Sequence, residues 1–265
     1  MARSPKRRLD DELVIRGLAE DLRVARGLIM AGKVVVDDAV CSKAGTSVAA
    51  SARVHVRGRA MKFVSRGGYK LEAALERFGV EVDGRVALDA GASTGGFTDC
   101  LLQRGAARVY AVDVGFGQLR GRLSTDPRVV NLERTNISDV RTETLSPGID
   151  LAVADLSNLS LRKAIPILCA LFTDARVELV VLVKPLFEGL ERSGMESASA
   201  LLTTVEALMA DVVAAGLGVS GLMASPIRGG RASVEFLAWL RADGNREVEE
   251  ACRAAVAEIP SDSTE

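Results

Sequence analysis

One stretch of the chain decides the fold: Leu88-Asp89-Ala90-Gly91-Ala92-Ser93-Thr94-Gly95-Gly96-Phe97. It starts in an apolar strand, passes through a turn rich in glycine and serine, and leads into a predicted helix. Glycines in such a turn let the backbone approach a ligand closely, and the amides of a helix N-terminus favour a carboxylate or a phosphate. The stretch therefore predicts a ligand site where a strand gives way to a helix.

Two other interpretations of this turn have to be weighed. Dinucleotide-binding folds also use a glycine turn, but the spacing here is Gly-x-Ser-x-Gly-Gly and not Gly-x-Gly-x-x-Gly. The residues from Gly91 to Gly95 also match the nucleophile turn of serine hydrolases. The sole histidine of the chain, His55, lies in an alternating stretch typical of a strand surface, so we reject a histidine-dependent hydrolase.

Outward from this turn, apolar strands alternate with amphipathic helices. Strands are predicted at 86–89, 109–112, 129–130, 151–154, 177–183, 219–223 and 234–239. Helices are predicted at 69–78, 97–103, 161–171 and 201–214, the third with a kink at Pro166. The alternation predicts an α/β fold of Rossmann-like type, with a mostly parallel, doubly wound sheet.

A smaller α/β module is predicted before this domain, over residues 8–58. Helical spacing runs from Leu13 to Ile29 and ends at Gly32, and short strands follow at 34–36 and 54–56. Residues 59–68 are predicted to form a basic linker, residues 69–242 the large domain, and residues 243–265 a C-terminal helix with a disordered tail.

The charge distribution points to a polyanion. The chain has 265 residues and a net charge of −1, yet basic residues outnumber acidic ones before Leu71. That asymmetry is typical of a nucleic-acid-binding module, although an ordinary solvated surface is an alternative reading. The candidate RNA contacts are Arg8, Arg23, Arg26, Lys33, Arg57 and Arg66.

Several other classes of protein are disfavoured by composition. No apolar run approaches the ~20 residues needed to span a bilayer, and the basic N-terminus leads into acidic residues, so we expect a cytoplasmic protein without a membrane partner. The four cysteines show no paired spacing, so neither a metal site nor a disulfide framework is expected.

Acidic residues at successive strand ends are candidates for holding a nucleoside. Asp113 ends the second strand about twenty residues after the glycine turn, where an acid can accept hydrogen bonds from two ribose hydroxyls. Asp139 could face an adenine amino group, but a helix cap or loop acid is nearly as good an interpretation. The candidate cofactor-binding residues are Asp89, Gly91, Ser93, Gly95, Gly96, Phe97, Asp113 and Asp139.

Four ionisable residues form the candidate catalytic set: Lys70, Asp155, Lys184 and Glu235. Asp155 and Lys184 close two parallel strands, so both are expected at the ligand edge of the sheet. Lys184 follows an apolar strand and is expected to be partly removed from water. A lysine in such a position can act as a general base, and a weakly acidic sugar hydroxyl needs one. A surface ion pair is the alternative.

At these residues the chain resembles the TlyA family of ribosomal-RNA 2′-O-methyltransferases, also known as hemolysins, and more broadly the FtsJ-type ribose methyltransferases. The matching stretches are 64–71, 89–99, 112–115, 133–136, 154–157, 183–185, 225–227 and 235–237, with 28–36 matching an S4-type RNA-binding module. The resemblance implies S-adenosylmethionine as cofactor, a ribose 2′-hydroxyl of cytidine in ribosomal RNA as acceptor, and ribosomal RNA or subunits as partners. It also implies that Lys70, Asp155, Lys184 and Glu235 are the catalytic residues.

The chain departs from that family pattern at a few positions. Leu22 replaces an expected basic residue, Leu186 an expected glutamine, 192–195 a glycine-rich segment, and Ala232-Ser233 an expected Gly-Asn. The four catalytic residues are intact, so the reaction is expected to survive. A non-catalytic RNA-binding or assembly factor and a pore-forming hemolysin are the alternative functions.

Overall fold

The structure, a computed structural model, describes residues 6–16, 18–19, 21–57 and 62–259, excluding the side chain of Arg231. The chain divides into two compact units, Met1–Lys62 and Phe63–Glu265. Residues 59–61 of the expected linker and the tail expected to be disordered, residues 260–265, lie outside the described residues, whereas residues 62–68 of that linker are described.

The first unit combines two helices with short antiparallel strands. Its elements are β1 (Lys6–Arg8), α1 (Leu9–Ile15), α2 (Leu22–Met30), β2 (Val34–Val36), β3 (Ala39–Cys41), β4 (Ser47–Ala49) and β5 (Val54–Val56). β1 pairs with β4, while β2 lies between β3 and β5. Leu9, Leu13, Ile29 and Val34 are fully buried and form its core. The unit therefore has a hydrophobic core of its own.

The helical spacing expected from Leu13 to Ile29 belongs to two helices instead of one. α1 ends at Ile15, and α2 begins after Asp21, whose carboxylate accepts a hydrogen bond of 2.7 Å from the amide of Val24. The apolar spacing continues from one helix to the next because both helices bury residues in the same core. The N-cap residue Asp21 is the local sequence signal for the start of the second helix.

The second unit is built on a seven-stranded sheet in the order β11-β12-β10-β9-β6-β7-β8. Its strands are β6 (Val86–Ala90), β7 (Arg108–Val112), β8 (Val129–Leu132), β9 (Leu151–Ala154), β10 (Glu178–Val183), β11 (Gly218–Ala224) and β12 (Phe236–Arg241). Only β12 runs antiparallel to its neighbours β10 and β11. The mostly parallel sheet predicted from the alternating pattern is confirmed.

Helices flank the sheet on both faces. They are α3 (Arg66–Phe78), α4 (Gly96–Gln103), α5 (Gly121–Ser124), α6 (Leu161–Cys169), α7 (Ala198–Ala214) and α8 (Glu249–Ala257). The second unit has two clusters of buried apolar residues. One contains Leu71 and Leu101, and the other contains Leu168 and Leu208. Alternate residues of one strand serve the two clusters: Val180 belongs to one and Val181 to the other. Such apolar strands, buried on both faces, are expected of a covered parallel sheet.

The main boundary difference concerns α3, which was expected to begin at Tyr69 and begins at Arg66. Gly67 and Gly68 have low helix propensity and were assigned to the linker. They form the first helical turn because the preceding Phe63 is buried in the core of the second unit and fixes the chain there. In the described ranges, no helix is long and apolar enough to cross a membrane.

Candidate active site

The candidate catalytic and cofactor residues meet at one edge of the sheet. β6, β7, β9 and β10 are parallel neighbours or share a neighbour, so the residues after their last positions lie along the same edge. Asp113, Asp155 and Lys184 follow β7, β9 and β10 directly. Glu235 precedes the antiparallel β12, whose Phe236 pairs with Val183, so it reaches the same edge from the other direction.

A cleft of about 250 Å³ opens at this edge. Its lining includes Gly91, Ser93, Asp113, Asp155 and Ser157. Apolar side chains line it as well, namely Val112, Val114, Ile137 and Leu156. A carboxylate beside apolar walls is the kind of surface that a nucleoside requires. A larger cleft of about 670 Å³ lies at the opposite end of the strands, where Arg85, Asp150 and Glu178 line it, away from the candidate catalytic residues.

The glycine turn is shaped by its own chain. Gly91 has φ +87°, and a Cβ there would lie 2.5 Å from the carbonyl oxygen of Asp155. A Cβ at Gly95 would overlap the side chain of Leu123, and one at Gly96 would overlap that of Ser65. Glycine is therefore needed at Gly91 so that the loops after β6 and β9 can touch beside the cleft, while Gly95 and Gly96 make room for packing.

Asp113 is fixed by the turns around it. Its Oδ2 accepts a hydrogen bond of 2.8 Å from the amide of Ser93, and its Oδ1 accepts one of 2.7 Å from the amide of Gly115. A carboxylate oxygen can accept more than one hydrogen bond, so both oxygens retain capacity for hydroxyl donors. The geometry places Ser93 and Asp113 together, as expected for residues that hold one ligand.

Three other residues expected to bind the cofactor do not line the cleft. Phe97 is packed in the core, with 3% of its surface exposed. Asp139 is exposed and is absent from the cleft lining, where the preceding Asn136 and Ile137 lie instead. Asp89 is fully buried, and its Oδ2 accepts a hydrogen bond of 2.6 Å from Thr98 Oγ1, while Oδ1 has no hydrogen-bond partner among the described residues.

Burial raises the pKa of Asp89 to about 7, against the opposing hydrogen bond from Thr98 and with a further raising contribution from Asp155. In the unfolded chain this carboxyl titrates at its ordinary value of 3.8. Between those two values the folded protein holds one more proton than the unfolded chain. The free energy of unfolding should therefore fall as pH rises from about 4 to about 7.

The Asp89 effect can be measured with Asp89→Asn, which cannot titrate. Denaturant unfolding of both proteins at pH 5 and pH 8 should show a steeper loss of stability in the unmodified protein. Only the two pH units from 5 to 7 contribute between these measurements, so the upper limit of the difference is about 2.7 kcal/mol, from roughly 1.36 kcal/mol per pKa unit. Parallel pH dependences of the two proteins would show that Asp89 does not titrate in this range.

Lys184 and Asp155 form the ion pair at the cleft. Lys184 Nζ lies 2.5 Å from Asp155 Oδ1 and donates a 2.7 Å hydrogen bond to Ser157 Oγ. The Lys184 side chain is 12% exposed and that of Asp155 28% exposed, so the pair is largely shielded, and Asp155 lines the cleft. Two acceptors fix the amine, and its third N–H has no acceptor within the described ranges.

The other two candidate catalytic residues form a second pair. Lys70 Nζ, on the second turn of α3, donates to Glu235 Oε2, and both residues are buried. The β10–β12 register ends with Val183 opposite Phe236, directly before Lys184 and directly after Glu235, so the two ion pairs lie at neighbouring strand ends. The four residues singled out from the sequence are thus gathered at one edge as two ion pairs.

Three residues with evident roles were missed in the sequence. Ser157 binds Lys184, and its place two residues after Asp155 was the available signal. Glu188 accepts hydrogen bonds of 2.7 Å from Ser160 Oγ and the amide of Leu161, which ties the loop after β10 to the start of α6. The carboxylate of Glu133 accepts a hydrogen bond from the amide of Gly117, and this bond lowers the pKa of Glu133 below its ordinary value. The same contact anchors the loop that follows Asp113.

The expected RNA contacts fall into two groups. Arg8 and Arg26 both lie 2.9 Å from Asp10, whose buried carboxylate has a pKa well below its usual range because Arg8 and Arg26 hydrogen-bond to it. Both guanidinium groups remain about half exposed. The others are exposed and have no ion-pair partner within the described part of the chain: Arg23, Lys33, Arg57 and, in the second unit, Arg66. No group of three or more potential metal ligands occurs among the described residues.

Comparison with known proteins agrees with this arrangement. Residues 7–54 match the S4 domain, and residues 63–242 match the FtsJ-like methyltransferase family. The chain is 42% identical to the 16S/23S rRNA (cytidine-2′-O)-methyltransferase TlyA of Mycobacterium tuberculosis, over 96% of this chain and 98% of that protein. It is 34% identical to Hemolysin A of Brachyspira hyodysenteriae, over 87% of this chain and 98% of that protein.

A solved structure extends the comparison to the fold. A protein from Streptococcus thermophilus, described as a candidate hemolysin, is 37% identical and superposes with a TM-score of 0.72, covering 96% of this chain and 95% of that one. The identity extends along nearly the whole length of these relatives and includes both units. The chain belongs to the TlyA family, in which an S4 domain precedes an FtsJ-like methyltransferase domain.

Proposed function

We propose that the protein transfers a methyl group from S-adenosylmethionine to the ribose 2′-hydroxyl of a cytidine in ribosomal RNA. The observation that supports this most directly is the fixed amine of Lys184, held by Asp155 and Ser157, two residues that line the cleft. The name of the Mycobacterium tuberculosis relative, a 16S/23S rRNA (cytidine-2′-O)-methyltransferase, supplies the acceptor. The S4 domain supports RNA as the substrate class.

The residues of the cleft suit S-adenosylmethionine. Asp113 would accept hydrogen bonds from the ribose hydroxyls, and the apolar side chains of Ile137 and Leu156 would border the adenine ring. Asn136, also in the lining, offers an amide in place of the exposed Asp139. When bound, the cofactor supplies an electrophilic methyl group.

We assign the proton transfer to Lys184. Its amine would take the proton of the 2′-hydroxyl as the oxygen becomes nucleophilic, and Asp155 and Ser157 would hold the amine in place. The buried Lys70–Glu235 pair would complete the charge network around the acceptor ribose.

A transfer assay tests the proposal. Purified protein, S-adenosylmethionine labelled in its methyl group and ribosomal RNA from cells that lack the modification should give labelled RNA. Nuclease digestion should then yield 2′-O-methylcytidine. Label on a base, or RNA binding without any transfer, would instead favour a different methylation or the non-catalytic assembly factor.

Asp113→Ala should weaken S-adenosylmethionine binding about ten- to a hundredfold. A hydrogen bond to a charged group contributes about 1.5–3 kcal/mol, and 1.4 kcal/mol is a factor of ten. Asp139→Ala should change the affinity little, because that carboxylate is exposed and outside the cleft lining. Calorimetry on both variants checks this, with melting temperatures to detect any loosening of the Ser93 and Gly115 turns. Equal affinities for the two variants would contradict the ribose assignment.

A further inference from the structure

Large exposed apolar side chains are confined to one edge of the described part of the second unit. In the described part of the second unit, the large apolar side chains that are exposed are Val114, Phe116 and Phe187. All three lie on the loops that follow Asp113 and Lys184, beside the candidate active site. Isolated exposed apolar residues need no explanation, but their restriction to the catalytic edge does.

Phe187 is the one that adjoins the candidate base. Its ring centroid lies 5.7 Å from Lys184 Nζ, and 45% of the residue is exposed. Phe116 differs, since the guanidinium of Arg134 lies 4.0 Å from its ring centroid and covers one face. The Lys184 amine also lies over the ring of Phe187, but it is farther away than Arg134 is from Phe116, and 45% of Phe187 is exposed, so its ring is an accessible aromatic surface beside the candidate base.

The turn that presents Phe187 is rigidly built. It is a 3-10 turn, Pro185–Phe187, in which the amide of Phe187 donates to the carbonyl of Lys184 at 2.8 Å. The amides of Glu188 and Leu190 both donate to the carbonyl of Pro185 at 3.0 Å. The side chain of Glu188, only 2% exposed, then binds the start of α6. A side chain so exposed, on a turn so well fixed, is suited to contact a ligand.

We propose that Phe187 is the stacking surface for the base of the nucleotide that is methylated. This inference rests on the proposed function. The base is attached to the sugar carbon next to the one that carries the 2′-hydroxyl. A hydroxyl placed at Lys184 Nζ therefore brings its base into the neighbourhood of the ring. Unpaired bases of RNA are commonly held on aromatic side chains, and the target nucleotide would be bound unpaired.

Two substitutions separate stacking from bulk. Phe187→Leu keeps an apolar side chain of similar size but has no aromatic face, whereas Phe187→Tyr keeps the face. Stacking contributes about 1–3 kcal/mol per base, so the leucine variant should lose about five- to 150-fold in kcat/KM for RNA. Its affinity for RNA should fall as well, while S-adenosylmethionine affinity and melting temperature stay unchanged. The tyrosine variant should remain within about threefold of the unmodified protein.

An abasic substrate gives the decisive control. Once the methylated nucleotide is mapped, a short RNA lacking only the base at that position should be methylated poorly by the unmodified protein. On this abasic RNA, Phe187→Leu should lose no further activity, because the effects of removing the two partners of a single contact are not additive. Additive losses would overturn the proposal.

The same measurements distinguish other roles. A fall in kcat with unchanged RNA affinity in Phe187→Leu would mean that the ring acts on Lys184 alone, and would overturn the stacking role. Near-normal activity of the leucine variant would do the same. Absence of methyl transfer by the unmodified protein would count against the proposed function, and RNA affinities of the two variants would still decide whether Phe187 stacks.

Discussion

Lys184→Ala is expected to lower turnover by about 10²–10⁴-fold, the contribution typical of a positioned general base. The loss should appear in kcat with RNA saturating. S-adenosylmethionine affinity should change little, because the amine is bound by Asp155 and Ser157 and is assigned to the acceptor. Single-turnover methylation measures the effect. Lys163→Ala, which removes an exposed lysine of α6, is the matched control and should behave as the unmodified protein.

Lys184→Arg decides what the lysine does. Guanidinium keeps its proton and cannot serve as a base, so arginine should be nearly as damaging as alanine. If Lys184 supplied only positive charge to hold RNA, arginine would rescue most of the activity and the alanine variant would lose affinity instead of turnover. Near-normal turnover in Lys184→Arg would therefore remove the base assignment and leave the methyltransferase assignment standing.

Removal of residues 1–62 is expected to reduce RNA methylation to background while S-adenosylmethionine still binds. The remaining chain keeps Phe63 and both of its buried clusters, so the cofactor cleft should persist. Calorimetry and the transfer assay check the two halves of this prediction. Methylation of RNA at an unchanged rate by residues 63–265 would show that the S4 unit is dispensable.

A milder change in the complete chain tests the same idea. Arg23, Lys33 and Arg57 are exposed and have no ion-pair partner within the described ranges. Their joint replacement by alanine should lower RNA affinity and make it less sensitive to salt. Each contact to a phosphate contributes about 0.7 to the slope of log K against log salt for single strands, so the slope should fall by about 2.

The architecture was accessible from sequence because long apolar strands and strand-end residues are strong signals. The alternation after Arg85 gave the sheet, and Asp113, Asp155 and Lys184 ended their strands as expected. The Lys184–Asp155 contact followed from the rule that parallel strands present their carboxyl ends together. What depended on strand ends and periodicity was therefore predicted well.

The remainder depended on tertiary contacts that no local pattern encodes. Gly95 and Gly96 make room for Leu123 and Ser65, which lie far from them in the chain or on another element. Arg8 and Arg26 were predicted as RNA contacts, and the sequence did not show that each also pairs with Asp10. Asp139 had the right spacing for a ligand contact, yet a short turn carries it outside the cleft lining. In each of these examples, the position or the partner of the residue depends on side-chain contacts and loop conformations that involve distant parts of the chain.

The pairing of the four candidate catalytic residues has an electrostatic consequence for encounter with RNA. Lys70 with Glu235 and Lys184 with Asp155 are each neutral as pairs, so the centre exerts no net attraction on a distant phosphate. Residues 63–265 hold 21 Lys and Arg against 28 Asp and Glu, whereas residues 1–62 hold 13 against 7. We therefore expect long-range attraction of RNA to come mainly from the S4 unit, and the methyltransferase unit to select its target at short range, through shape and direct contacts.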